Sequence, residues 1–311
     1  MRVAIIGAGL AGLTCGARLK ALGLCVSLFD KGRAPGGRLA TRRLETCAGT
    51  ASFDHGAPFL DGGSLEFRSW LEGWATRGAA ARWPEAGEAS WTGTPSMNAL
   101  PKAIAEELRV TNGCFVRGMA RDAAGWHLLR EDGRIGPFDT AIVALPAEQA
   151  APILALQDMR MAAAAIGTPS APCWSAMFAL RQEIGAPPIF SKTDIVRFAT
   201  CGTGKPGRTG PQAWTVQACP SWSRQHLDDA PPVVLRALRD ALTRLTGNGA
   251  LDIAAGDVHR WRFGLSGSAG EGALWNPRLG LGACGDWLIG PGAEAAWRSG
   301  TLLAGLVAGT G

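Results

Sequence analysis

Residues 2–30, "RVAIIGAGLAGLTCGARLKALGLCVSLFD", decide the fold. "RVAII" is a short, continuous apolar run rich in β-branched residues, the pattern of a strand buried on both faces of a parallel sheet. Gly7, Gly9 and Gly12 follow in G-x-G-x-x-G spacing, and a helix is predicted from Leu10 to Leu22, with Gly23 as its C-terminal cap. "CVSLFD" reads as a second strand ending on Asp30. In such a βαβ unit Gly7 permits a tight turn, Gly9 lets backbone approach a pyrophosphate, and Gly12 lets helix and strand pack closely. The helix N-terminus supplies N–H groups and a positive dipole for the anion, and Asp30 would accept hydrogen bonds from ribose hydroxyls. A plain flexible glycine loop is the competing reading. Strand before, helix after and acid at the expected distance weigh against it.

Working outward, 311 residues suggest two domains. The formal net charge is only +5, and arginines lie scattered among Asp and Glu. A dedicated nucleic-acid face would need clustering, so no nucleic-acid partner is expected. Cysteines at 15, 25, 47, 114, 173, 201, 219 and 284 lack any C-x-x-C pair, so neither a metal site nor a disulfide framework is expected. No apolar run reaches the ~18 residues of a membrane span. The N-terminal glycine spacing fits a folded strand and helix better than a signal peptide, and a reduced, cytoplasmic setting is expected.

From Asp61 to Thr94 the pattern weakens into Trp-rich and Gly-rich sequence. "SMNALPKAIAEEL" predicts a helix with Met97, Leu100, Ile104 and Leu108 on one face. "CFVRGMA", "WHLLRE" and "DTAIVALP" read as short strands, and "CWSAMFALR", "AWTVQAC" and "VHRWRFGL" as partners in another sheet. "ATCGTGKPGRTGPQ" reads as a loop, and "PPVVLRALRDALTRLTG" as an amphipathic helix with Val234, Leu235, Leu238, Leu242 and Leu245 buried and Gly247 closing it.

Just beyond Asp30 lies "FDKGRAPGGRLATRR", residues 29–43. "APGG" alone is a good type II turn. A nicotinamide-binding unit, however, has no need of a second glycine pair and guanidinium there. Gly36 and Gly37 would bring more backbone N–H groups to a diphosphate, and Arg38 a charge-assisted contact, while Arg42 and Arg43 read as surface charge. "APGGRLAT" resembles the second glycine motif of the flavin-dependent amine oxidase superfamily, and "FDHGAPFL" resembles the strand those proteins run beside the isoalloxazine. With "MNALPKAIAEEL" and the C-terminal "GDW…AAWRSG", the chain is similar to the renalase-like flavoproteins, especially bacterial ones.

The third motif, "LGLGACGDWLIGPGAEAAWRSGTLLAGLV", has a strand ending at Gly285-Asp286, a glycine loop, and a helix beginning near Ala293. The resemblance implies FAD, expected to be noncovalent because the segment near Gly290 has no cysteine where those enzymes attach flavin, with Asp286 on the ribityl chain or diphosphate and the helix N-terminus at the flavin pyrimidine edge; a helix-capping acid is the bland reading of Asp286. The implied cofactor contacts are Gly7, Gly9, Ala11, Gly12, Asp30, Lys31, Gly37, Arg38, His55, Gly56, Ala57, Val116, Gly285, Asp286, Glu294, Ala295 and Ala296. Val116 is expected on a central strand beside adenine.

The fold so implied is α/β: a Rossmann-like FAD-binding domain (1–60, 95–150, 272–311) with an interleaved smaller α+β substrate domain (61–94, 151–271). Trp174, Phe178, Trp214, His259, Trp261 and Phe263 are substrate-pocket candidates, although each aromatic is individually more often core. The chain contains no tyrosine, so the paired-Tyr cage of monoamine oxidases cannot form, and no lysine falls at a recognisable position near the flavin. The renalase-like resemblance implies oxidation of isomeric dihydro-NAD(P) to NAD(P)+, with O2 reduced to H2O2. Arg208, Arg260 and Arg262 could meet the substrate's phosphates. No residue is assigned a catalytic role. Alternatives are a flavin amine oxidase or desaturase on another small substrate, and a non-catalytic FAD-fold binding protein.

Overall fold

The computed structural model describes residues 1–191 and 193–309. They form two compact units, one made of Met1–Gly37, Pro101–Ser170 and the chain from Ser266 onward, the other of Arg38–Leu100 and Ala171–Leu265.

The first unit is built on a six-stranded sheet in the spatial order Leu274–Asn276, Leu281–Ala283, Thr140–Val143, Arg2–Ile6, Cys25–Phe29, Arg109–Thr111. All neighbours pair in parallel except the first two strands. Val3 to Ile6 and Thr140 to Val143 are buried, as strands covered on both faces must be. The helix Leu10–Ala21 packs against Ala293–Ala308 so closely that a Cβ on Gly300 would lie 2.3 Å from the Ala11 carbonyl. An antiparallel meander of Gly118–Asp122, Gly125–Arg130 and Gly133–Phe138 completes this unit, its buried Trp126 donating to the Leu279 carbonyl at 2.8 Å.

In the second unit a five-stranded sheet runs in the order Ile189–Ser191, Val196–Cys201, Ala213–Ala218, Ala171–Leu180, Ile253–Leu265. Side chains alternate along a strand. Trp174, Ala176, Phe178 and Leu180 therefore share one face with Val234, Leu238 and Leu242 of the helix Pro231–Thr246, whose left-handed Gly247 closes it. Met177 and Ala179 face the other way, onto Ala51 and Phe53 of the hairpin Arg42–Thr46/Gly49–Phe53.

Residues 61–94, where the sequence pattern weakens, hold a helix, Leu65–Thr76, capped by Ser64 and burying Phe67, Leu71 and Trp74, and most of a three-stranded sheet that begins at Leu60. Several sequence expectations are corrected. The segment 114–117 is not strand, and Val116 lies there with its side chain buried beside Phe29 and Trp126 in the core. A strand fills Gly133–Phe138, straight after the Asp-Gly turn, before the expected one at Thr140–Val143. "FDHGAPFL" is irregular from Asp54 to Phe59. The units also differ in extent from the expected segments. Residues 38–60 and 95–100 fall in the second unit, because the hairpin packs on the five-stranded sheet; 151–170 and 266–271 fall in the first, where Ile153, Leu154 and Met161 join the core of Ala141 and Trp287. Among the described residues no helix is long and apolar enough to cross a membrane.

Candidate functional site

In the first unit the carboxyl ends of the parallel strands are stitched together. Gly7 N–H donates to the Phe29 carbonyl (2.8 Å), Ala144 N–H to Ile6 (2.8 Å), Asp30 N–H to Thr111 (3.0 Å) and Cys284 N–H to Val143 (3.1 Å). This gathers Gly7, Asp30 and Gly285 at the edge where open α/β sheets bind ligands. The Asp30 carboxylate accepts from the Ala8 amide at 2.7 Å and the Gly32 amide at 2.6 Å, so it shapes the first loop and retains lone pairs for hydroxyl donors. Gly36 N–H donates to the Ala8 carbonyl at 2.8 Å, and Gly36 bridges Gly9 in parallel. The second glycine motif is thereby clasped to the first.

The three glycines of the first motif are not equivalent. Gly7 has φ +105°, and a Cβ on it would lie 2.3 Å from the Ala144 carbonyl; one on Gly12 would lie 2.1 Å from the Gly7 carbonyl. Both are demanded by the chain's own packing. Gly9 has φ −75°, which any residue adopts, and its Cβ would point into open space. Nothing inside the chain requires glycine there, and the open space would give a bound group access to the backbone. Gly9 is also the N-cap of the helix Leu10–Ala21, with no side-chain cap and no acid in the first turn, which leaves an anion-ready terminus. The residues present fit a dinucleotide diphosphate. Ala11 is buried in that first turn, and Lys31 is exposed.

The C-terminal motif reaches the same edge. Gly285 N–H donates to Ser299 Oγ at 3.0 Å, tying the strand end to the last helix. Asp286 is buried and opens a short 3-10 turn, its carboxylate accepting from the Trp287 amide at 3.1 Å. It does not cap the last helix, whose N-cap is Gly292. Glu294 stands in that helix's first turn, with Ala295 half-buried and Ala296 buried behind it. The acid offsets part of the positive helix end that sequence reasoning assigned to the flavin.

In the second unit the irregular stretch 54–59 is held without a strand partner. Trp261 Nε1–H donates to the His55 carbonyl at 2.8 Å, Gln217 Nε2–H to the Gly56 carbonyl, and Lys205 Nζ to the Pro58 carbonyl at 2.5 Å. Ala57 N–H donates to Arg38 at 2.8 Å, and a Cβ on Gly56 would lie 2.0 Å from that same carbonyl. Arg38 itself donates to the Gly264 carbonyl at 3.4 Å. His55 is buried, stacks on Trp261 with centroids 5.2 Å apart and meets His259 edge-on at 5.1 Å. Burial, then the neighbouring His259 and Arg42, push the His55 imidazole down to about 4, and burial and Arg42 lower His259 as well. Arg42 is thus no idle surface charge; it pairs with Asp257 beside these rings.

Sequence reasoning missed the buried ion cluster beneath this stretch. Asp54 Oδ2 accepts from Lys205 Nζ at 2.9 Å and Arg208 Nη2 at 2.6 Å, and its Oδ1 accepts from the Met97 amide at 3.0 Å. Arg208 also donates to Thr92 Oγ1 and to the Gly93 and Pro95 carbonyls, while Lys205 Nζ lies 5.0 Å from the Trp83 ring centroid. Burial would raise the Asp54 carboxyl, but the two cations outweigh it and hold it below its ordinary range. Burial lowers Lys205 against the pull of Asp54. Two clues were available: Lys205 and Arg208 share a glycine-rich loop, and Asp54 adjoins the "HGAPFL" motif.

The pocket candidates separate by strand alternation. His259, Trp261 and Phe263 are half-buried. Trp174, Phe178 and Trp214 are at most 2 % exposed and belong to the core under the helix Pro231–Thr246, which removes them from the pocket. Arg208 is removed from the phosphate contacts because its guanidinium is buried on Asp54. Arg260 is engaged with the Leu227 carbonyl and Asp228, 5.4 Å over Trp174, whereas Arg262 is exposed.

A parallel sheet with two clasped glycine loops at its carboxyl edge is the architecture of a dinucleotide-binding protein. Residues 5–72 match the NAD(P)-binding Rossmann-like domain, and residues 80–278 match the flavin containing amine oxidoreductases. The chain belongs to the flavin containing amine oxidoreductase family and is a flavin-dependent oxidoreductase. Its fold is similar to cyclohexylamine oxidase from Brevibacterium oxydans IH-35A (TM-score 0.74, 14 % identity, 99 % of this chain and 98 % of that one). It is also similar to a provisionally assigned protoporphyrinogen oxidase from Exiguobacterium sp. 255-15 (0.69, 12 %, 99 % and 98 %). An oxidoreductase from Methanosarcina mazei shares the fold as well (0.64, 12 %, 97 % and 99 %).

Proposed function

We propose that the chain is a renalase-like oxidase that binds FAD noncovalently and oxidises isomeric dihydro-NAD(P) to NAD(P)+. The bound flavin supplies a two-electron hydride acceptor that O2 reoxidises, yielding H2O2. Everything else is done by the protein. The observation that carries the cofactor reading is the pair of glycine loops clasped together at the carboxyl edge of the parallel sheet, with open space at Gly9 on an uncapped helix N-terminus. Gly7, Ala11, Gly12, Gly36 and Gly37 would hold the diphosphate with backbone and helix dipole, Asp30 the ribose, and Asp286 with Glu294, Ala295 and Ala296 the flavin end. Lys31 and Arg38 would add charge, and the backbone at Val116 would meet adenine. His55, Gly56 and Ala57 would face the flavin ring.

For the substrate, His259, Trp261 and Phe263 offer flat, half-buried surfaces suited to a dihydropyridine ring, and exposed Arg262 is the remaining arginine candidate for its phosphates. An uncharged His55 suits this chemistry, because loss of hydride from an electron-rich ring needs no strong base. Chemical preference also comes from what is missing: without tyrosine the paired-Tyr cage of monoamine oxidases cannot form. Amine oxidation is the second reading, favoured by the family match over residues 80–278. Anaerobic mixing of the yellow protein with dihydronicotinamide isomers, amines and polyenes separates these readings. Bleaching by the isomers, with peroxide on readmission of O2, is expected. Bleaching by amines alone overturns the substrate assignment, and a colourless purified protein overturns the cofactor.

A further inference from the structure

The stretch 55–58 has three of its carbonyls engaged by side chains from three separate elements. Trp261 comes from the strand Ile253–Leu265, Gln217 from Ala213–Ala218, and Lys205 from the loop that follows Val196–Cys201. Gln217 is 4 % exposed and Lys205 4 % exposed, so neither donor is competing with bulk water. Backbone carbonyls must be paired somewhere when buried, and a strand partner would ordinarily do it. Here a side-chain clamp replaces the partner. Such a clamp fixes the direction of each peptide plane one by one, leaving the backbone free of a neighbouring strand.

We propose that Gln217 and Lys205, with Trp261, are positioning residues that set the peptide planes of 55–58, the segment assigned above to the flavin ring. The assignment of a role toward the flavin rests on the FAD reading; the clamp itself does not. Lys205 is a positioning residue with two attachments, since the ammonium that donates to Pro58 also anchors on Asp54 immediately before the segment. Gln217 has the cleaner geometry for a test, because its side-chain amide holds Gly56 without taking part in the ion cluster.

The experiment is Gln217→Met, which keeps side-chain length and removes the donor, compared with Lys205→Met. Amide hydrogen exchange is read by peptide, together with the visible circular dichroism and midpoint potential of the bound flavin. Expected for Gln217→Met is about ten-fold faster exchange confined to 55–58, unchanged exchange in Pro231–Thr246, retained flavin content, and an altered flavin dichroism and potential. Unchanged exchange at 55–58 overturns the clamp. Faster exchange spread evenly over the second unit also overturns it, since that is the mark of a general stabiliser, and an unfolded variant counts as this outcome unless Gln217→Glu reproduces the confined change. Confined exchange with an untouched flavin spectrum overturns the positioning role while leaving the clamp. A wild-type protein without flavin defeats the cofactor reading instead, and the exchange comparison still decides the clamp.

Discussion

Two segments of this protein are held in place by opposite means. The glycine loops of the first unit are fixed chiefly by backbone, through the Gly36 amide on the Ala8 carbonyl and glycines that admit carbonyls where a Cβ would collide, with one carboxylate, Asp30, receiving the Ala8 and Gly32 amides. The stretch 54–59 of the second unit is fixed by side chains, through Trp261, Gln217, Lys205 and the ion cluster on Asp54. A backbone-built site depends on residues that lack side chains. A side-chain-built site depends on residues whose loss strands a partner. The two should therefore fail differently under mutation.

The largest effect is expected where the side-chain mode is broken at its root. Asp54→Asn leaves Lys205 and Arg208 buried without their counter-charge, and removing one partner of a buried ion pair costs about 3–5 kcal/mol. Urea unfolding measures it; a loss under 1 kcal/mol would mean water reaches the cluster. Next comes Gly12→Val in the backbone mode. A side chain placed 2.1 Å from the Gly7 carbonyl must displace it, and overpacking of that kind costs about 3 kcal/mol, with flavin content falling alongside.

Acid should sharpen the contrast by weakening the second unit first. The folded His55 pKa lies near 4, below the ordinary value of 6.5, so the unfolded chain binds the proton more readily between those values. Stability is full above about 6.5 and falls as pH drops toward 4, by about 2 kcal/mol at pH 5 from His55 alone, at 1.36 kcal/mol per unit. Asp54 works in a lower window, because its depressed carboxyl stays ionised until the pH passes below its ordinary value. Urea melts at pH 7, 6 and 5 for the wild type and His55→Asn should show the slope shrinking in the variant. The smallest effect on folding is expected for Gly9→Ala: under about 0.5 kcal/mol in unfolding, yet at least ten-fold weaker retention of flavin on dialysis.

This contrast also explains which parts were legible in the amino-acid order. The requirement for Gly12 arises at Gly7, five residues away, and Gly7 announces itself through its own positive φ, so spacing reveals both even though the carbonyl that a Cβ on Gly7 would strike belongs to distant Ala144. The partners of the second segment lie far off in the chain: 147 residues separate Lys205 from Pro58, 161 separate Gln217 from Gly56, and 206 separate Trp261 from His55. No local pattern announces such pairs. Residue type misled in a different way, since Trp174 and Trp261 look alike as aromatics on strands, but strand alternation points only Trp174 into the helix-covered core. Arg208 and Lys205 were hidden by their loop, whose glycines and prolines suggest solvent while its cations turn inward.

The open space beside Gly9 has an evolutionary consequence. On the proposed reading, a single added methyl group at Gly9 would crowd the cofactor's diphosphate while disturbing nothing in the chain's own packing. For a lineage with this architecture, the step toward a colourless descendant of the same shape would then begin with one codon.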